Sequence, residues 1–79
     1  MNATRRKQLQ KVLTELASLR ERLDAIWEAE SEARDNLPDN LLESEQAEKM
    51  DQAVSDIQSA IESIEEAENA ITEAQGNGQ

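Results

Sequence analysis

The sequence predicts an all-α fold, an antiparallel two-helix hairpin, on three observations. An apolar ladder with helical spacing runs through Leu9, Val12, Leu16, Leu19, Leu23 and Ile26, then Glu30 and Ala33. A second runs through Ala47, Met50, Val54, Ile57, Ile61, Ile64, Glu68 and Ile71. The two are mirror images about Asn40, so that Leu9 pairs with Ile71, Val12 with Glu68, Leu16 with Ile64, Leu19 with Ile61, Leu23 with Ile57, Ile26 with Val54, Glu30 with Met50 and Ala33 with Ala47. That is the register of an antiparallel seam in which a and d positions alternate across the interface.

The first helix is expected over about residues 3–34, capped by Asn2 or Thr4 and rich in the good helix formers Leu, Ala, Glu, Arg and Lys. The turn is expected over about 35–43, centred on Asp35-Asn36-Leu37-Pro38-Asp39-Asn40. Pro38 lacks a backbone donor and biases Leu37 away from helical torsions. Leu37, Leu41 and Leu42 give the turn an apolar underside, predicting a compact cap. The second helix is expected over about 44–75, with Ser44 as N-cap and Glu45 in its first turn, where negative charge complements the helix dipole. Gly76 and Gly78 are expected to stop it, leaving a frayed tail at 76–79.

Residues beside the seam widen each apolar face. With Leu9 at a, the e positions of the first helix are Leu13, Arg20 and Trp27; with Val54 at a, the g positions of the second are Ala53, Ala60, Ala67 and Ala74. One reading has the small g residues receiving the large e residues inside a single hairpin. The other makes these flanks a second interface, giving a homodimeric four-helix bundle or a groove for another helix. A chain of 79 residues with Trp27 as its one aromatic side chain builds only a small core, and without Cys or His it has neither disulfide nor zinc-type staple. Self-association through the Leu13, Arg20 and Trp27 side or the alanine side is therefore expected.

The net charge of −10 is unevenly distributed. Residues 1–20 hold Arg5, Arg6, Lys7, Lys11 and Arg20 against Glu15, a net of +4; residues 21–79 hold 17 acids against Arg22, Arg34 and Lys49, a net of −14. Such a surface repels a nucleic-acid duplex and favours basic protein partners, nucleic-acid-binding proteins among them. The basic cluster also reads as a neutralising match for the acidic end of the second helix, with Lys7 opposite Glu73. Its other reading, a clamp for nucleic acid or a membrane surface, is weaker. No apolar run is long enough to span a bilayer and no leader pattern follows the basic start, so a cytoplasmic location is expected.

Catalytic chemistry finds little footing. A useful general acid needs a shifted environment, and of the 18 acids only Glu30 and Glu68 fall on the seam. They suit a register-setting polar role better than a metal or catalytic one, because a carboxylate-bridged metal pair needs further inward Glu and His ligands. With no Cys, no His to activate a serine and no Gly-rich phosphate cradle, no enzyme activity and no cofactor are expected.

The row Glu21, Asp24, Glu28, Glu32, Asp35 advances in steps of three and four and so lies along one helical face. It reads either as a solvated face or as an imitation of a phosphate row that occupies basic sites meant for DNA. Trp27 beside it reads either as a partly buried seam residue or as a binding hot spot.

The segment Asp35-Asn36-Leu37-Pro38, then Ser44-Glu45 and Glu48-Lys49-Met50, with the basic Arg5-Arg6-Lys7 start, resembles the small acidic helical-hairpin proteins of Gram-positive bacteria and their prophages. The resemblance spans nearly the whole chain and implies a phage or prophage accessory protein, with no residue roles to transfer. Secreted hairpin proteins with Trp-x-Gly in the turn fit poorly, because Trp27 is followed by Glu28-Ala29 inside the first helix. The expected function is a non-enzymatic protein–protein interaction module. Its expected partner-binding residues are Leu13, Arg20, Glu21, Asp24, Trp27, Glu28, Glu32, Ala53, Ala60 and Ala67. The alternatives are an acidic DNA-mimic inhibitor of a nuclease or DNA-binding defence protein, and a structural assembly or chaperone component.

Overall fold

The computed structural model describes residues 1–77 as two long antiparallel helices packed as a hairpin. Helix α1 spans Ala3–Asp35 and helix α2 spans Glu45–Asn77, joined by a single 3-10 turn at Asp39–Leu41. The Cα atoms extend over 60 × 15 × 12 Å, the dimensions of two helices side by side and nothing more. Among the described residues no helix is long and apolar enough to cross a membrane.

Three of the four helix ends form where the sequence places them, for identifiable reasons. The Arg5 amide donates to Asn2 Oδ1 at 2.8 Å, so Asn2 caps α1. The turn is stitched by Leu41 N–H to the Pro38 carbonyl at 2.8 Å and Ser44 N–H to the Leu41 carbonyl at 3.1 Å. Ser44 Oγ donates to the Leu41 carbonyl at 2.6 Å and accepts from the Ala47 amide at 3.2 Å, joining turn and helix through one hydroxyl. Replacing it, Ser44→Ala, is expected to lower stability by about 1 kcal/mol, read as an earlier urea midpoint with an unchanged slope. Leu37 and Leu41 tuck partly under the turn as expected, but Leu42 is 40% exposed and does not join them. Helix α2 runs through Gly76 to Asn77 instead of stopping at Gly76. One glycine in a terminal turn costs only about 1 kcal/mol of helix propensity, too little to end a helix that still has hydrogen-bond partners. The expected stop at Gly78 and the tail at 78–79 lie outside the described residues.

The seam departs from the mirrored ladders on one side only. Helix α2 presents the predicted face: Ala47 and Ile61 are buried at 1% and 4% exposure, and Met50, Val54, Ile57, Ile64, Glu68 and Ile71 are half-buried. Helix α1 is rotated. Leu9, Leu16, Leu23 and Glu30 remain half-buried, but their companions are Arg6, Leu13, Arg20, Trp27 and Arg34, not Val12, Leu19, Ile26 and Ala33. Val12, Leu19 and Ile26 stand 40%, 44% and 54% exposed.

Two forked ion pairs favour this rotation. Arg20 Nε donates to Glu68 Oε1 at 2.7 Å, and Nη2 reaches Oε2 at 3.4 Å. Arg34 Nε donates to Asp51 Oδ1 at 2.7 Å, with Nη2 at 3.4 Å from Oδ2 and 3.5 Å from the Leu42 carbonyl. Turning Val12, Leu19 and Ile26 inward would swing both guanidiniums and Trp27 away from α2. The same pairs shift the side-chain register. Arg20 meets Glu68 where the mirror about Asn40 puts Ala60, and Arg34 meets Asp51 where it puts Gln46. Side chains on each helix lean toward that helix's own N-terminus, so in an antiparallel pair long side chains meet from positions whose Cα atoms are not level. Glu68 therefore pairs with Arg20, not opposite Val12. Among the described residues no ion pair joins Lys7 to Glu73; the open end is tied instead by Gln75 Nε2, 3.3 Å from the Arg6 carbonyl and 3.2 Å from Gln10 Oε1.

Candidate functional site

The hairpin offers three surfaces, each set by the rotation of α1. The first is the seam. Leu13, Arg20 and Trp27, which the sequence offers either as residues received inside the hairpin or as a flank for a partner, sit half-buried along the line that contacts α2. Leu13 lies in a groove with Glu68, Asn69 and Thr72, and Arg20 holds Glu68. The hydrogen bond that Arg20 donates to Glu68, then the Glu68 charge, pushes the guanidinium above its ordinary pKa. The stability this shift contributes is present below the ordinary arginine value and is lost only as pH rises through the elevated one. Trp27 Nε1 and Ser31 Oγ, one helical turn apart, are buried side-chain atoms without a hydrogen-bond partner. These residues hold the hairpin together and leave little of themselves for another molecule.

The second surface is the acidic row. Glu21, Glu28, Glu32 and Asp35 are exposed and Asp24 is half-buried at its inner edge. Among the described residues none of the five forms an ion pair. Residues three and four apart on a helix lie about 5–6 Å from one another, so the row is a file of negative charge on a rigid rod. Among the described residues no group of three or more acidic side chains is placed to hold a metal ion.

The third surface was not legible as a surface in the sequence. Val12, Leu19 and Ile26 form a half-exposed apolar ladder, and Leu19, Leu23 and Ile26 line a shallow apolar groove with Ile64 of α2. In an antiparallel pair g positions flank the same edge of the seam as g positions of the other helix, which assigns the g-position alanines of α2 to this side; Ala53 and Ala67 are half-buried and Ala60 is exposed. Glu30 continues the face toward the turn, beside Gln46, Lys49 and Met50.

No family model, curated protein or solved structure matches the chain.

Of the ten residues expected to bind a partner, the structure puts Glu21, Asp24, Glu28 and Glu32 together on one side of α1, and Ala53, Ala60 and Ala67 on the opposite, apolar side. Leu13, Arg20 and Trp27 lie between the helices. Val12, Leu19 and Ile26 went unrecognised as surface because any heptad ladder of Val, Leu and Ile reads first as a seam. The signal that could have found them is the second ladder one position later. Arg6, Leu13, Arg20, Trp27 and Arg34 recur every seventh residue, and arginines in such a ladder can reach carboxylates across a helix pair, as Arg20 and Arg34 do.

Proposed function

We propose that the protein is a non-enzymatic interaction module that engages a basic protein surface through the acidic side of α1. The observation that carries this reading is the row Glu21, Asp24, Glu28, Glu32 and Asp35, whose carboxylates have no ion-pair partner among the described residues and stand in single file on one rigid helix. A pre-ordered file of charge loses little conformational entropy on binding, and its field steers an oppositely charged partner into register. A phage or prophage setting for this role rests on the resemblance of the turn and its flanks.

The single-file spacing also favours a narrower second reading, in which the row stands in for phosphates and the partner is a DNA-binding protein. The test is affinity capture from the cells that encode the protein. It compares the parent chain with a variant carrying Glu21→Lys, Asp24→Lys, Glu28→Lys and Glu32→Lys. A partner that binds the parent, falls away steeply with added salt and is lost from the variant while helicity persists is the expected result. Competition by duplex DNA for that partner supports mimicry; a complex indifferent to the reversal removes both readings.

A further inference from the structure

We infer that the exposed ladder of α1 is the interface for a second copy of this chain, docked antiparallel so that α1 packs on α1 of its partner across a two-fold axis. The surface area asks for such a cover. The chain exposes 5799 Å², whereas a compact monomer of 8.8 kDa exposes about 4800 Å². The difference, roughly 1000 Å², is close to the ~800 Å² that each partner contributes to a standard stable interface. The apolar part of that excess is concentrated where Val12, Leu19 and Ile26 stand 40–54% exposed over a groove shared with Leu23 and Ile64.

The charges on α1 select the second copy as occupant and set its direction. Residues 1–17 carry four basic groups and one acidic, and residues 18–35 carry three basic and six acidic, so the two halves are +3 and −3. An antiparallel pair sets each half against its opposite, whereas a parallel pair sets like against like. An isologous contact repeats every interaction twice. With Leu16 packed on the other copy's Leu19, each remaining layer finds a counterpart: Val12 with Leu23, Leu9 with Ile26, and at the ends Arg5 with Glu30. The same register carries the flanking Glu15 to Arg22 of the second copy, the g-to-g pairing of an antiparallel coil. Among the described residues Arg5, Glu15, Arg22 and Glu30 form no ion pair within the hairpin, so all four are available. The alanines at 53, 60 and 67 border the same face and let the α2 helices close over the added pair, making a four-helix bundle. The acidic row lies on the far side of α1 and stays exposed in the assembly.

Sedimentation equilibrium over a wide concentration range tests the inference. Twice the chain mass of 8.8 kDa is expected. A triple variant, Val12→Gln with Leu19→Gln and Ile26→Gln, is expected to sediment as a helical monomer. Glu15→Arg alone, or Arg22→Glu alone, is expected to weaken association about tenfold, because two like-charged contacts replace two attractive ones. The two together are expected to restore it. These charge variants change only exposed residues, so they remain informative if the triple variant fails to fold. A parent chain that stays monomeric throughout, a larger assembly, a dimer indifferent to the triple variant, or a swap that fails to restore association would each overturn the proposal.

Discussion

Replacing Ile61 by alanine is expected to be the most damaging single truncation in the chain, lowering unfolding free energy by about 2–4 kcal/mol. Ile61 is 4% exposed and, among the described residues, is one of only two buried apolar side chains, the other being Ala47. In a domain of this size each kcal/mol moves the midpoint by about 4–8 °C, so thermal melting followed by circular dichroism should shift by about 10–30 °C or show no folded baseline. The mirror about Asn40 makes Leu19 the partner of Ile61 and would predict comparable damage from either. The structure separates them, because Leu19 is 44% exposed. Loss of Ile61 therefore lowers stability by the same amount at every protein concentration, whereas Leu19→Ala is expected to cost less in the isolated hairpin and more where copies associate. Equal, concentration-independent losses would restore the mirrored seam.

The second large effect is expected at Trp27 and depends on what replaces it. Trp27→Ala should cost about 2–3 kcal/mol, somewhat below the range for a fully buried ring because Trp27 is only half-buried. Trp27→Phe should stay within about 1 kcal/mol of the parent: it loses some ring area but also removes an indole N–H that is buried without a partner, a group that costs about 1–3 kcal/mol to leave unsatisfied. Urea titrations of the three proteins decide the matter. Were Trp27 a free hot spot on a flank, both substitutions would leave stability unchanged. Its fluorescence is expected to be blue-shifted in the folded chain and to move red on unfolding, which gives an independent readout of the same seam.

The helices and turn were legible because their causes are local. Asn2 and Ser44 cap helices through their own side chains, Pro38 ends helical geometry through its ring, and the Leu- and Ala-rich stretches propagate between them. The acidic row was equally legible, since steps of three and four within one helix need no knowledge of the other. Gly76 misled because a glycine signal states a cost without stating what surrounds it. The sequence left two readings open for Leu13, Arg20 and Trp27, within the hairpin or on a second interface, for a different reason. The a, d and e positions lie within about 100° of one another around a helix, and a sequence cannot say which pair of the three faces inward.

What the sequence by itself determined is therefore the hairpin: two helices of nearly equal length, three of their four ends, their antiparallel course, and the predicted face of α2. What only the tertiary structure decided is the rotation of α1 about its own axis. Helix formation is governed by contacts three and four residues away, which are written in order along the chain. Rotation is governed by contacts between residues 48 and 17 positions apart, Arg20 with Glu68 and Arg34 with Asp51. Those ion pairs turn one edge of a heptad toward α2 and leave Val12, Leu19 and Ile26 facing outward, so that half of the α1 ladder becomes a surface.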